Sequence, residues 1–376
     1  MIGVLGTVAA FVAVLVVLVL VHELGHFIVA KRAGITVQEF GIGFPPRIAS
    51  LMWRGTRYSL NWIPLGGFVK MLGEDGDIEV QRLRDEGLTP AEIEHAMAGA
   101  FNRKPIGIRI AVLVAGVAMN FLLAATLFGV AVSMPTLVPM GPLIVEEVQA
   151  DSPAARVGLR PDDVIYTADG RSFERSEDLT AYVASRAGEE VTLGIRRNGE
   201  RMDLVVKPRE LTDEQRAQGM GAIGFSWRAS NVVEGPPIAD GPLEAAWGGL
   251  SAAATLAWQI PGALVDAVGG LLGLNPEAPD AMGPIGIAAE TGRILQLPLV
   301  SQLFFVGILS VNLAVLNVLP FPPLDGGRIA VVLAEALRRR RLPAEREALI
   351  YLTGFLFLVA LVILISIQDI QRLISG

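Results

Sequence analysis

Four long apolar stretches divide the chain. They cover residues 2–21, 110–134, 299–319 and 348–367. Each is long enough for a helix to cross about 30 Å of hydrocarbon. No Lys or Arg precedes Lys31, so the first stretch lacks the basic start of a cleaved secretory signal. It continues directly into a polar cluster at His22, and we therefore predict a retained span.

Residues 243–274 follow another pattern. Their apolar positions recur every three or four residues from Leu243 to Leu271, while Glu244 and Asp266 lie on the other face. This is the stripe of an amphipathic helix. We predict that the helix lies in the membrane interface and does not span the bilayer.

Short alternating segments predict β-structure in two places. Residues 57–62 alternate apolar and polar positions and end at Pro-Leu-Gly-Gly, which predicts a hairpin strand. The second region, residues 142–208, contains several short strands and one capped helix. Residues 209–241 carry Gly and Pro clusters and are predicted to be a linker.

Composition supports a membrane protein and limits its chemistry. Hydrophobic residues make up 52% and charged residues only 18%, against about 25% charged residues in soluble domains. There is no Cys, so a metal site must use His, Asp or Glu. The net charge of -7 argues against nucleic acid as a partner, because binding phosphates requires a basic surface.

Basic residues predict the orientation of the spans. They flank the first loop and the segment between the last two spans, at Lys31, Arg32, Arg103, Lys104, Arg109, Arg338, Arg339, Arg340, Arg341 and Arg346. Under the positive-inside rule both segments are cytoplasmic, and both termini and residues 135–298 lie outside. A fifth span would place residues 338–341 outside, so four spans fit best. We interpret those four arginines as a solvated anchor near lipid headgroups.

The candidate chemistry begins at the end of the first span. His22, Glu23 and His26 form the pattern H-E-x-x-H, which places two imidazoles on one helix face and a carboxylate beside them. Two interfacial histidines flanking a carboxylate are the alternative. Ionisable groups in a span are costly and usually functional, which favours a metal site.

Asp325 is the candidate third ligand. It follows the third span at the membrane face to which the first span brings His22, roughly 30 Å of helix from the N-terminus. An ordinary turn at Asp-Gly-Gly is the alternative for this segment. The remaining histidine, His95, lies in a polar, acidic stretch that predicts a solvated helix.

Such a site suits one zinc ion per chain, although two histidines and a carboxylate also suit iron. Glu23 would be the general base. Asn317 would bind the substrate backbone or a developing oxyanion, or else cap a helix end. Non-helical backbone around Pro320, Pro322 and Pro323 is tolerated at membrane depth where it lines a cavity or is buried in protein, and Pro320 and Pro322 are candidate substrate contacts.

With these motifs the sequence resembles the site-2 protease family of intramembrane metalloproteases. The resemblance is to the bacterial branch of the family, which includes the regulator of sigma-E protease. The first motif at residues 22–26 and the N-x-x-P-x-P-x-L-D-G motif at residues 317–326 carry the resemblance, together with residues 63–71, which are similar to the family's membrane-associated hairpin. Residues 115–120 resemble a second-span motif, with Val117 in place of proline and Asn120 without an assigned role. Residues 283–287 are similar to another family element.

Residues 142–208 resemble a circularly permuted bacterial PDZ domain. The resemblance places Leu143, Ile144 and Val145 near a peptide groove, because PDZ folds bind extended peptides along a strand edge. A domain that only excludes large ectodomains and binds no peptide is the alternative.

The expected fold is an α-helical polytopic membrane protein with four transmembrane helices, a membrane-associated β-hairpin and an inserted α+β PDZ-like domain. The expected divisions are residues 1–134 for the first part of the membrane core, 135–208 for the extracytoplasmic PDZ-like domain, 209–298 for the linker and interfacial helix, and 299–376 for the second part of the core.

The implied activity is zinc-dependent cleavage of single-pass membrane proteins within the bacterial inner membrane, near its cytoplasmic face. Anti-sigma factors and remnant signal peptides are the implied substrates, with membrane lipid and a peptide at the PDZ groove as further partners. Two other functions stay open. A metal or proton transporter would usually show repeated motifs, and an inactive PDZ scaffold would not need Glu23 as a base.

Overall fold

The computed structural model describes residues 3–74, 78–212, 221–271, 274, 282–340 and 342–375. The chain divides into two compact units. We call Met1–Ser133 with Ala239–Gly376 the membrane unit, and Met134–Ile238 the inserted unit. Arg341, and residues 213–220 and 272–273 of the predicted linker and amphipathic helix, lie outside the described residues.

The membrane unit is mainly helical. Its helices are α1 (Val4–Arg32), α2 (Ile78–Asp85), α3 (Pro90–Ala96), α4 (Ile106–Val132), α7 (Pro242–Leu271), α8 (Pro284–Ile294), α9 (Leu299–Val318), α10 (Asp325–Arg338) and α11 (Ala344–Ser375). Two short 3₁₀ helices, Met97–Gly99 and Phe101–Arg103, precede α4. Among the described residues, four helices are long and apolar enough to cross a membrane, namely α1, α4, α9 and α11. The prediction of a polytopic protein with four spans is confirmed.

The first two spans pack closely because glycines lie where they cross. A Cβ on Gly25 of α1 would overlap the backbone of Ala115 in α4, and a Cβ on Gly116 would overlap the imidazole of His26. Small residues allow this approach, since the backbones of membrane helices can come together only where side chains are short. The crossing therefore brings α4 directly against the histidines of α1.

A bent β-hairpin follows α1. Its strands are β1 (Val37–Trp53) and β2 (Thr56–Met71), which pair antiparallel. Residues 39–42 of β1 lie between two segments of β2, because they pair with residues 67–70 and also with residues 57–60. In the part of the chain that the structure describes, no strand pairs with the other edge of residues 67–70. Among the described residues, the backbone groups on this edge therefore have no strand partner.

Helix α7 contacts the spans through a face that the sequence pattern did not indicate. The predicted apolar stripe points outward, with Leu243 and Trp247 largely exposed. A neighbouring face carries Gly249, where a Cβ would overlap Ala125 of α4, and Ala253, which is buried against α4 and α9. Small residues permit this packing, whereas hydrophobicity alone indicated the stripe beside it. The predicted interfacial position of the helix stays a prediction.

The inserted unit is an α+β fold built on one antiparallel sheet. Its elements are β3 (Pro135–Val148), α5 (Pro153–Arg156), β4 (Val164–Ala168), β5 (Arg171–Ser172), α6 (Ser176–Ser185), β6 (Val191–Arg197), β7 (Glu200–Val206) and β8 (Phe225–Pro237). The strand order is β7-β6-β4-β3-β8, with β5 beside β4. Fully buried side chains of β3, β4 and β6 form its core. Arg197 makes an ion pair with the buried Asp163, at 2.6 Å.

The structure differs from the predicted linker at residues 209–241. Phe225–Pro237 forms β8, which pairs with β3 from Val148↔Phe225 to Pro135↔Pro237. The alternation of Phe225, Trp227 and Ala229 is the strand signal, and the Gly and Pro residues that follow it obscured this signal. The inserted fold therefore extends past residue 208.

Candidate metal centre

Three side chains converge at the end of α1. The Nε2 atoms of His22 and His26 are 3.1 Å apart, since one helical turn separates the residues. Oδ2 of Asp325 lies 2.9 Å from Nε2 of His22 and 3.2 Å from Nε2 of His26. Ligands at zinc bond lengths in tetrahedral geometry are about 3.3 Å apart. The three predicted ligands therefore have nearly the spacing that one bound zinc ion requires.

The hydrogen bond of His26 leaves its inner nitrogen free for a metal. Nδ1 lies 2.8 Å from the carbonyl oxygen of Val112, so this nitrogen carries the proton and donates it. Nε2 then presents a lone pair towards Asp325. Oδ2 of Asp325 is buried and has no hydrogen-bond donor among the described residues. Atoms whose lone pairs point at one another with no proton between them are the ligand atoms expected at a cation site.

Asn120 provides the corresponding support for His22. It is fully buried, and its amide group lies 3.5 Å from Nδ1 of His22. Its Oδ1 has no hydrogen-bond partner in the described part of the chain. Amide orientation is assigned from the hydrogen-bond network, and the turned amide directs Oδ1 at the Nδ1 proton. The sequence singled out Asn120 without a role, and its position assigns one.

Asp325 is held in place by the two glycines after it. Helix α10 begins at Asp325, where its carboxylate is favourable near the helix N-terminus. A Cβ on Gly326 would overlap the carbonyl oxygens of Val318 and Leu319, and a Cβ on Gly327 would meet Phe321. Any side chain there would push α10 away from the end of α9. The Asp-Gly-Gly sequence is thus a packing requirement that fixes the carboxylate.

Glu23 shares a cavity with the three candidate ligands. The cavity has a volume of about 250 Å³ and is lined by α1, α10, the end of α9 and β2. Gly67 of β2 lies close to Glu23, since a Cβ there would be 3.9 Å from Cγ of Glu23. Phe68, Val69 and Met71 continue the same wall. A chain segment beside β2 would therefore pass over both the carboxylate and the ligands.

Sequence reasoning missed a second charged pair in this cavity. Glu74, just after β2, makes an ion pair with Arg328 of α10, and both line the cavity. The Glu74 carboxylate raises the pKa of the Arg328 guanidinium above its usual range. Arg328 lies three residues after Asp325, so the two share a helix face, and this spacing was the available signal.

The other predicted site residues fall into two groups, those that line the cavity and those that do not. Asn317 lines the cavity, whereas Pro320 and Pro322 are not among the residues lining it, and Pro323 takes that position. Pro322 packs against Gly354 of α11. His95 is exposed in α3, and it is not part of the metal-ligand group found among the described residues.

The inserted unit has its own apolar pocket. It measures about 380 Å³ and lies between α6 and β8, where Leu179, Val183 and Trp227 contribute to its lining. The predicted groove residues lie elsewhere, because Leu143 and Val145 are buried in the core and Ile144 is half-buried in the same strand. Both edges of β3 are already paired, and among the described residues β7 and β8 are the edge strands of this sheet, with β8 the one beside the pocket.

Comparisons with known proteins agree with this architecture. The model of peptidase family M50 matches residues 10–361. A protein of Clostridium perfringens is 34% identical over 354 residues, covering 94% of this chain and 95% of its own. The zinc metalloprotease RasP of Oceanobacillus iheyensis is 29% identical over 431 residues, covering 98% and 99%. The metalloprotease MmpA of Caulobacter vibrioides is 30% identical, covering 99% and 97%.

Among solved structures, the PDZ domain of an SdrC-like protein from Listeria monocytogenes is similar to part of the chain. The identity is 25% and the TM-score 0.20, with 23% of this chain and 85% of that chain covered.

Proposed function

This chain belongs to peptidase family M50 and is a multi-pass membrane metalloprotease, and from that premise we propose that it cleaves single-pass membrane proteins within the bilayer. The observation that carries the proposal is the convergence of three candidate ligands and Glu23 in one cavity. That cavity lies among helices long and apolar enough to span a membrane.

His22, His26 and Asp325 would hold one zinc ion per chain. Zinc supplies a Lewis acid that polarises a peptide carbonyl and activates a water molecule. Asn120 and the carbonyl of Val112 orient the two imidazoles, which is the usual function of groups behind metal ligands.

Glu23 would be the general base and then the general acid. It lines the cavity beside the candidate ligands without being one of them, so its carboxylate is free to accept a proton from water. It would return that proton to the leaving amine. Asn317, on the same cavity wall, would donate a hydrogen bond to the substrate backbone or to the oxyanion that forms at the carbonyl.

The free edge of β2 would hold the substrate. A helical substrate buries its backbone hydrogen bonds and must unwind before a peptide bond can reach the zinc. Residues 67–70 have an edge that pairs with no strand among the described residues, and an extended segment could add to it as a strand. The hairpin would thereby stabilise the unwound segment directly over Glu23.

The basic loops support an orientation with this site near the cytoplasmic face of a bacterial inner membrane. In that orientation both termini and the inserted unit are extracytoplasmic. Regulated intramembrane proteolysis fits a site at this depth, with anti-sigma factors or remnant signal peptides as the substrate class.

The inserted unit would bind an apolar peptide end. The pocket between α6 and β8 is lined mainly by apolar side chains, and the open edge of β8 runs beside it. Strand addition with one apolar side chain in a pocket is a recurring way to bind peptides. This pocket favours peptide capture over a purely steric filter.

A matched pair of proteins tests the activity. Wild type and Glu23→Gln are purified in detergent, incubated with a tagged single-span substrate panel, and assayed for bound zinc. We expect wild type to cut within the span, and the variant to bind equal zinc without cutting. If neither protein cuts any substrate while both bind zinc, the proposal fails. A metal-flux assay would then distinguish a transporter from an inactive scaffold.

A further inference from the structure

A second charged cavity lies in the membrane unit, away from the metal centre. It has a volume of about 540 Å³ between the start of α4 and the end of α10. Five basic residues line it, and Glu335 is the acidic residue among them. The basic residues are Arg103, Lys104, Arg109, Arg339 and Arg340. We call this cavity the basic cleft.

The acidic residue that lines the cleft is already paired with one of the basic residues. Glu335 accepts hydrogen bonds from both terminal nitrogens of Arg109, each at 3.2 Å. Arg103 is paired with Glu94 at 2.7 Å. Lys104, Arg339 and Arg340 make no ion pair with any residue that the structure describes. Three uncompensated cations therefore face one cavity, which favours an anionic ligand.

The backbone adds to this preference. Helix α4 begins at Ile106, has no capping side chain and has no acidic residue in its first turn. Its free N–H groups and positive dipole end therefore border the cleft. Arg339 has a left-handed backbone with φ of 51°, a conformation that glycine usually occupies after a helix. The presence of a residue other than glycine at this position therefore needs an explanation. A positive charge directed towards the cleft is such an explanation.

The surroundings identify an amphiphile in preference to a free anion. Ile106, which lines the cleft, is the first residue of a candidate span, so the cleft lies where that span meets the headgroup region. Leu333 and Leu337 of α10 are exposed, Leu337 at 86%. Apolar side chains left exposed on the helix that lines a cationic cavity match a ligand with a phosphate and acyl chains.

We propose that the basic cleft binds the phosphate headgroup of an anionic phospholipid, while its acyl chains cover Ile106, Leu333 and Leu337. The ligand would join the start of α4 to the end of α10. These two helices also carry Val112, which orients His26, and Asp325. The proposal concerns binding and does not depend on proteolytic activity.

Native mass spectrometry of the full chain tests it. The protein is released from micelles that contain equal amounts of phosphatidylglycerol and phosphatidylcholine, and the retained lipid is counted. We expect wild type to retain phosphatidylglycerol at least about fivefold over phosphatidylcholine. The triple variant Lys104→Gln, Arg339→Gln, Arg340→Gln should lose this preference, since each cation near a membrane surface contributes on the order of a fivefold change in affinity.

Matched variants distinguish lipid binding at the cleft from a general effect of removing positive charge. Arg32, Arg84 and Arg338 are exposed and do not line the cleft, so their triple Gln variant should retain the preference. Arg339→Lys with Arg340→Lys should retain it too, which guards against misfolding of the Gln variant. Equal lipid retention by wild type and the cleft variant would overturn the proposal. Displacement of the lipid by equimolar inorganic phosphate would also overturn it, by identifying a free-phosphate site.

Discussion

Glu74 and Arg328 form an ion pair on one wall of the cavity that holds Glu23, although 254 positions separate them in the chain. Glu74 also accepts a hydrogen bond from the backbone N–H of Met71, the last residue of β2. The pair thus connects the end of β2 to the helix that carries Asp325. Its geometry predicts that strand position and metal position are coupled.

A double-mutant cycle measures that coupling. Glu74→Gln and Arg328→Met should each lower kcat/KM about tenfold with zinc retained, because each leaves one charge unpaired in a partly buried site. The double variant should lose less than the sum, by about 1–2 kcal/mol. The exposed pair Arg175 and Glu177, at 3.5 Å, provides the control cycle and should show a coupling near zero. Additive losses at Glu74 and Arg328 would contradict the connection.

Asn120 should affect metal affinity without being a ligand. Asn120→Leu removes the acceptor for the Nδ1 proton of His22, and such changes lower metal affinity by about 10–100-fold. Asn120→Asp keeps an acceptor and should retain most of the affinity. Competition with a chelator of known zinc affinity measures both. Zinc binding by the Leu variant at wild-type strength would show that His22 is oriented by other means.

Gly116 lies on the same helix as Asn120 and tests how closely α4 must pack against the histidines. Gly107, at the start of that helix, provides the control. A Cβ at Gly116 would overlap His26 and meet His22, whereas a Cβ at Gly107 would meet nothing. Gly116→Ala should lower zinc occupancy more than about tenfold, since ligand geometry tolerates only small displacements. Gly107→Ala should leave occupancy unchanged, because both variants gain the same helix propensity. Elemental analysis of the purified proteins decides the result.

The pocket of the inserted unit can be blocked at its rim. Ala184 lines the pocket and is exposed, while the adjacent Ser185 is exposed and does not line it. Ala184→Arg should weaken binding of a peptide with an apolar C-terminus at least about tenfold, because a charge would enter an apolar pocket. Ser185→Arg should bind like wild type. Fluorescence anisotropy with a labelled peptide gives both affinities, and equal values would place the peptide elsewhere.

The spans and the two histidines could be predicted from local sequence because each depends on a short pattern. Twenty apolar residues specify a span, and the spacing of His22 and His26 specifies a shared helix face. Predicting Asp325 as the third ligand required one further step, namely an estimate of the membrane depth at which each span ends. All three predictions rest on periodicity or length, which the chain carries locally.

Contacts between distant segments were not predictable in this way. Asn120 supports His22 because α1 and α4 cross at glycines that no periodicity marks, and Arg328 pairs with Glu74 across 254 positions of sequence. In the inserted unit, the predicted groove at residues 143–145 depended on which strand edge stays open. The pairing of β8 with β3 closed that edge, and residues 225–237 had been interpreted as linker.

The pairing of Pro135 with Pro237 places the two ends of the inserted unit side by side in one β-ladder. A chain that leaves a domain next to where it entered can lose, exchange or duplicate that domain at a single locus. No span needs to change direction, and no residue of the metal centre lies within the exchanged segment. The inserted unit and the metal centre can therefore diversify independently within one gene.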